Sequence, residues 1–102
     1  HPMATILLIG RLAAPATRTP TGGAEARIVV EKSFRGAAGE ERTAKTEVAV
    51  RAAGAVAEAL AAAPPEREVL VEGRLRLHTD HGASSGVARY LVEAERVEVQ
   101  ST

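Results

Sequence analysis

The amino-acid sequence predicts an all-β domain: a five-stranded Greek-key barrel with one short helix between the third and fourth strands. Three observations support this fold class. Apolar and polar residues alternate in several short segments, which is the pattern of half-buried strands. One alanine-rich segment breaks this alternation, and glycines interrupt two of the strand segments. Because a small twisted sheet loses its exposed edges when it closes on itself, a barrel is the expected arrangement.

The first three strands precede the helix. The first, Thr5 to Leu12, is a short apolar run that we expect to be buried on both faces. A loop rich in Pro, Thr and Gly follows at 13–23, and the second strand then runs from Ala24 to about Phe34. Arg35 to Arg42 contains two glycines and is predicted to be a hairpin loop. The third strand lies around 47–52.

The helix and the last two strands complete the domain. Ala55 to Ala63 lacks Gly and Pro and is predicted to be helical up to Pro64-Pro65. The fourth strand covers about 69–78. The last, about 90–99, begins with apolar even positions and ends with apolar odd ones, which predicts a bulge near Glu95-Arg96. This order of elements is typical of the oligonucleotide/oligosaccharide-binding (OB) fold, and we expect residues 4–100 to form one such domain.

The composition excludes several classes of protein. The 102 residues include 13 basic and 13 acidic side chains and no cysteine, which excludes disulfide scaffolds, thiolate metal sites and cysteine catalysis. No window approaches the ~18 apolar residues that span a bilayer. No secretory signal is visible, so we expect a cytoplasmic protein, and His1-Pro2 is interpreted as an expression remnant. The core must be aliphatic because Phe34 and Tyr90 are the only aromatic residues.

Four segments resemble bacterial single-stranded DNA-binding proteins, in the same order and over about Thr5 to Val99. They are Leu8-Ile9-Gly10-Arg11-Leu12 continuing through Pro15 to Gly22, Gly54 to Glu58, Val71 to Arg76, and Arg89-Tyr90. The chain is also similar to the single-domain primosomal replication protein B. The resemblance implies binding of single-stranded DNA without strong sequence preference, in replication, recombination or repair. It also implies a homodimer or homotetramer and possible replication or repair partners, with no enzymatic activity.

The departures from this family concern base stacking and the C-terminus. The positions of the family's stacking aromatic residues fall on Glu47, Ala53 and Asp80. Each stacked base contributes ~1–3 kcal/mol, so arginine planes would have to replace the missing rings. The family's acidic tail, which ends in phenylalanine and recruits other enzymes, does not follow Val99, so we expect either a trimmed tail or a diverged paralogue. The alternative function is therefore a protein-interaction adaptor of a replication or primosome complex, with weak or lost DNA affinity.

The predicted nucleic-acid-binding residues are basic, with one aromatic ring. They are Arg11, Arg18, Arg27, Lys32, Phe34, Arg35, Lys45, Arg51, Arg74 and Arg76. Arg27, Arg51, Arg74 and Arg76 occupy the polar phase of strands two to four and would form a basic stripe if these strands present one face. In the alternative interpretation they are solvated arginines paired with Glu25, Glu47 and Glu72. A net charge of zero predicts weak, salt-sensitive affinity.

The two aromatic residues and the first strand carry further predictions. Phe34 stands beside a loop and is the candidate for an exposed stacking ring, whereas Tyr90 shares the apolar phase of Val92 and is expected in the core with its hydroxyl at the rim. Leu7 and Ile9 face opposite Leu8, so the first strand offers an edge for self-pairing.

No motif argues for catalysis, a metal or a cofactor. His78-Thr79-Asp80-His81 has the composition of a metal site, but its residues are too close together in one loop. Ser84, Ser85 and His81 lack the elbow and the buried acid of a catalytic triad. Thr21-Gly22-Gly23 is too short for a phosphate-binding loop.

Overall fold

A computed structural model describes residues 5–79 and 88–100. Within these residues the chain forms six strands and one helix: β1 (Thr5–Leu12), β2 (Thr17–Arg18), β3 (Ala24–Arg35), β4 (Glu41–Ala52), α1 (Gly54–Ala62), β5 (Glu68–Thr79) and β6 (Ala88–Val99). The two-residue β2 falls in a predicted loop, so the predicted strands two to five are β3 to β6. The all-β fold class and the single helix before the penultimate strand are confirmed. No helix in the described part is long and apolar enough to cross a membrane.

The strands form one sheet that closes into a barrel. Their order is β1-β5-β6-β4-β3-β2, and β1 also pairs with β3 through Arg11 opposite Val29 and Leu12 opposite Ile28. Among the strands of the described residues, only β4 and β6 pair in parallel. Gly10 precedes the closing contact, and a Cβ atom there would overlap the carbonyl oxygen of Val29. The closure therefore depends on the absence of a side chain at this position.

The predicted bulge in the last strand is confirmed. Glu72 lies opposite Arg96 and Gly73 opposite Ala94, which leaves Glu95 as the extra residue in β6. The extra residue reverses the phase of the strand, so that Val92 and Ala94 pack on the core before it and Val97 packs on the core after it. The change of apolar phase in the sequence therefore corresponds to a β-bulge in the structure.

The barrel interior is aliphatic, as the composition predicts. Twelve apolar residues are buried among the described ones: Leu8, Leu12, Ala24, Ile28, Val50, Ala52, Ala57, Leu60, Ala63, Val69, Val71 and Val92. Helix α1 packs against β3, β4 and β6 and buries Ala57 and Leu60. It ends one residue before the predicted limit because Ala63 already adopts an extended conformation ahead of Pro64.

The predicted burial of the first strand on both faces is wrong. Leu8, Gly10 and Leu12 are buried, whereas the side chains of Leu7 and Ile9 are 54% and 47% exposed. The reason is that nothing in the described chain packs on the outer surface of β1. An apolar run therefore marked a strand with one buried face and one exposed apolar face.

The predicted hairpin loop at Arg35 to Arg42 is too long. Pairing continues to Arg35 opposite Glu41, and the connecting turn contains only 36–40. From Glu31 to Lys45 every residue except Gly36 is exposed, so this part of the hairpin projects from the barrel. We refer to residues 31–45 as the β3–β4 arm. The two glycines predicted a flexible loop here, but the backbones of β3 and β4 pair along most of this segment.

Candidate functional site

A groove of about 700 Å³ lies over the outer face of β3 and β4. The segment after β1 forms one wall, and the beginning of β6 forms the other. The residues that line it are Ala13, Ala14, Pro15, Thr17, Glu25, Ala26, Arg27, Glu47, Ala49, Val50, Arg51, Tyr90 and Leu91. The groove therefore combines small apolar side chains, two arginines, two glutamates and one aromatic ring.

Tyr90 is the aromatic ring of this groove, and its predicted burial in the core is wrong. Its side chain is 67% exposed although it shares the phase of the buried Val92. At Tyr90, strand β6 pairs only with β5, because its pairing with β4 is confined to Val50 opposite Val92 and Arg51 opposite Glu93. The ring therefore stands beyond the barrel wall. The sequence signal for this position was its place at the start of a strand, next to a Gly/Ser-rich segment.

Two of the predicted binding arginines lie on this outer face without a carboxylate partner. Arg27 lines the groove, and Arg11 lies opposite Val29, two residues further along β3. Within residues 5–79 and 88–100, neither side chain forms an ion pair. Their guanidinium groups therefore remain able to bind an anion such as phosphate.

Charges of opposite sign alternate across the same outer face. Along one row of the sheet Glu25 lies opposite Arg51, Arg51 opposite Glu93, and Glu93 opposite Arg74. The row crosses four neighbouring strands, β3, β4, β6 and β5. Two members of the predicted arginine stripe, Arg51 and Arg74, thus lie in one row, and Glu93 separates them.

Three of the stripe arginines form ion pairs. Arg51 Nη2 lies 3.1 Å from Glu25 Oε1. Glu25 is one of the glutamates with which the alternative interpretation of the sequence pairs these arginines. Arg76 Nε is 3.2 Å from Glu93 Oε2, and Arg74 Nε is 3.4 Å from a carboxylate oxygen of the bulge residue Glu95. All these side chains are about half exposed, so each pair contributes little to stability and can exchange with a solvent anion.

The predicted binding residues of the β3–β4 arm divide between its two faces. Arg35 and Lys45 have the odd phase of the groove residues, and Lys45 Nζ lies 3.2 Å from Glu31 Oε1. Lys32 and Phe34 have the opposite phase, and Phe34 is 46% exposed. The arm therefore presents an exposed ring, but on the face opposite to that of the groove arginines.

Arg18 is held by a carboxylate on the helix. Its Nη1 and Nη2 atoms donate to Glu58 Oε1 and Oε2 at 3.0 and 2.6 Å. The hydrogen bond to Glu58 and its charge raise the pKa of Arg18, and the same contacts lower the pKa of Glu58. Arg18 follows Thr17, which lines the groove, so this pair connects the groove wall to α1.

The described residues contain no group of three or more His, Cys, Asp or Glu side chains that could hold a metal ion. The segment with the composition of a metal site and the serines considered for a triad lie mostly outside the described residues. These residues are Asp80, His81, Ser84 and Ser85.

Several solved structures resemble this chain. A small single-stranded DNA-binding protein from Streptomyces coelicolor matches with a TM-score of 0.76 and 17% identity, over 98% of this chain and 95% of its own. A Plasmodium falciparum single-stranded DNA-binding protein, in complex with single-stranded DNA, matches with a TM-score of 0.80 and 14% identity over 99% and 97%. The chain has the fold of the single-stranded DNA-binding proteins. The resemblance predicted from the sequence is thus confirmed at the level of the fold.

A longer protein with this fold is also similar to this chain. The wild-type single-stranded DNA-binding protein from Thermus aquaticus is 25% identical, with a TM-score of 0.73 over 95% of this chain. This chain spans about half of the Thermus protein, since the match covers 50% of it. No protein-family model and no curated protein matches the sequence.

The structure shows where two of the three positions lie at which the resemblance implies a stacking aromatic residue. Glu47 lines the groove, and Ala53 lines a neighbouring cavity at the beginning of α1. The third position, Asp80, lies outside the described residues. Tyr90 thus places a ring in the same groove in which the resemblance implies a ring at Glu47.

Proposed function

We propose that this protein binds single-stranded DNA in the groove over β3 and β4, without strong sequence preference and without chemistry. The observation that carries the proposal is the exposed ring of Tyr90 in one groove with the guanidinium of Arg27, which forms no ion pair within residues 5–79 and 88–100. OB folds bind oligonucleotides on the second and third barrel strands and the loops beside them. In this chain those strands are β3 and β4.

The binding mechanism has an electrostatic part and a stacking part. Arg27 and Arg11 neutralise phosphates and release counter-ions, which makes the affinity salt-dependent. A base stacks on Tyr90, which contributes ~1–3 kcal/mol. Arg51 also lines the groove. The other predicted residues extend the path of the strand beyond it: Arg18, Lys32, Phe34, Arg35, Lys45, Arg74 and Arg76.

The lack of sequence preference follows from the residues available. Side-chain amides read adenine edges by two hydrogen bonds, but the sequence has no Asn and its only Gln is Gln100. No amide side chain lines the groove. Stacking and phosphate contacts do not distinguish bases, so the protein suits the exposed single strands of replication, recombination or repair.

We also propose that two copies of the chain pair through β1. Thr5 to Gly10 pair with β5 along one edge of the strand, and within the described residues the opposite edge has no partner strand. Leu7 and Ile9 add exposed apolar side chains at this edge. An exposed apolar edge strand is a template for pairing, and two linked grooves strengthen weak binding. A homodimer, or a homotetramer made of two dimers, results.

Fluorescence anisotropy with a labelled oligothymidine, at low and at moderate salt, tests the main proposal. We expect micromolar or tighter binding at low salt that weakens steeply as salt is added. Absence of binding at low salt by a folded protein, checked by circular dichroism, would contradict it.

The second candidate function is the protein-interaction adaptor. The ion pairs of Arg51, Arg74 and Arg76 favour it, because an arginine held by a carboxylate attracts phosphate less. The adaptor predicts no oligothymidine binding even at low salt, so the same titration separates the two functions.

A further inference from the structure

The ion pair of Glu25 and Arg51 lies between two concave surfaces. Both residues line the groove that contains Tyr90, and both also line a second cavity of about 510 Å³. The second cavity is formed by the segment before β3, the end of β4 and part of β6. Its other lining residues are Thr19, Thr21, Gly23, Ala52, Ala53, Glu93 and Ala94. A ligand that extends from the groove into this cavity must pass the ion pair.

We propose that Glu25 competes with the phosphates of single-stranded DNA for Arg51 and thereby weakens the binding of the part of the strand that passes beyond Arg27 and Tyr90. The inference rests on the proposed function and concerns the regulation of that same site. Arg51 places Nε and Nη2 each 3.1 Å from Glu25 Oε1, so the carboxylate occupies the edge of the guanidinium that a phosphate would use. Glu93, opposite Arg51 on β6, also lines the second cavity, but it is already paired with Arg76, so Glu25 is the carboxylate that competes for Arg51.

The pair is weak enough to exchange. Its two side chains are about half exposed, and exposed ion pairs gain little because water screens them. A phosphate can therefore displace Glu25, but the displaced carboxylate stays near the phosphate and repels it. Removal of the charge of Glu25 should accordingly tighten binding by about two- to fivefold, the range that one exposed ion pair provides.

The competition also has a signature in the salt dependence. When Arg51 binds a phosphate, the DNA releases a counter-ion, but the displaced Glu25 takes up a cation, so the net release of ions is small. Arg51 therefore adds little to the dependence of affinity on salt in the wild-type protein. Without the carboxylate, it should steepen the log–log slope by up to about 0.7, the contribution of one phosphate contact to a single strand.

The experiment compares Glu25→Gln with Glu98→Gln, a matched control. Glu98 forms an ion pair with Arg96, at 3.7 Å and about half exposed, outside both concave surfaces, and its substitution changes the net charge equally. Labelled oligothymidines of two lengths are titrated across a range of salt. We expect Glu25→Gln to bind more tightly and with a steeper slope than Glu98→Gln, and the gain to be larger for the longer oligonucleotide.

The possible results separate the two proposals. If Glu25→Gln and Glu98→Gln have equal affinities and slopes while the wild-type protein binds, the competition by Glu25 is refuted and the proposed function stands. If neither the wild-type protein nor Glu25→Gln binds at low salt, the proposed function itself fails.

Discussion

Arg18 on β2 and Glu58 on α1 are joined by two hydrogen bonds, although 40 residues separate them in the sequence. The planar guanidinium and the carboxylate meet in a fork that fixes both side chains. Arg18 is the neighbour of the groove residue Thr17. The Arg18–Glu58 ion pair therefore connects one wall of the groove to helix α1.

The pair makes stability depend on pH in a defined direction. The pKa of Glu58 is lowered from its ordinary value of 4.5, so its stabilising contribution is present above that value and is lost as the pH falls through the lowered pKa. We expect Glu58→Gln to lower the urea midpoint slightly at pH 7, and the difference from wild type to vanish in acid. The control is Glu66→Gln, because Glu66 forms no ion pair within the described chain. A difference that persists unchanged in acid would contradict the assignment.

Replacement of the groove ring should weaken binding. Tyr90→Leu removes the stacking surface, and a loss of ~1–3 kcal/mol corresponds to an affinity roughly 5- to 150-fold lower. Anisotropy titrations with oligothymidine measure the change. Tyr90→Phe keeps the ring and should stay close to wild type. Equal binding by Tyr90→Leu and Tyr90→Phe would show that no base stacks there.

The same ring offers a direct optical signal. The sequence contains one tyrosine and no tryptophan, so the intrinsic fluorescence of the protein comes from Tyr90. Unlabelled oligothymidine should quench this emission in proportion to binding. Binding without quenching would place the bases away from Tyr90.

Arg27, which forms no ion pair within the described residues, should matter more than the paired arginines. Arg27→Ala should weaken binding and reduce the log–log salt slope by about 0.7, since one phosphate contact is lost. The double variant Arg74→Ala with Arg76→Ala should also weaken binding, but less for each arginine, because both are held by carboxylates. Arg67→Ala, in the turn before β5, is the control outside the groove. If Arg27→Ala behaves like Arg67→Ala, the groove is not the binding face.

The dimer prediction depends on the outer face of β1. Ile9→Lys places a charge on this apolar edge and should convert the dimer to a monomer in sedimentation experiments. Phe34→Lys is a matched control, because Phe34 is almost equally exposed but lies on the β3–β4 arm. A protein that is monomeric before any substitution, or a dimer that survives Ile9→Lys, would exclude pairing through this edge.

Local patterns predicted the elements of the barrel well. Alternation of apolar residues placed β5, and the reversal of that alternation located the bulge at Glu95. The alanine-rich segment predicted α1 to within one residue because no Gly, Pro or strand-like alternation competes there. The hairpin was harder, since Gly36 and Gly39 indicated a loop where cross-strand pairing extends the strands as far as Arg35 and Glu41.

The sequence by itself determined the fold class, the aliphatic core and the set of charged residues available for binding. These properties depend on composition and on short-range periodicity, and neither of these depends on which residues are in contact in the folded protein. Only the tertiary structure decided that Tyr90 lies in a groove and that, among the described residues, Arg27 lacks the carboxylate that Arg51 has and β1 is covered on one face alone. Each of these depends on which distant strand stands opposite, and the register between strands is set by the packing of the whole barrel.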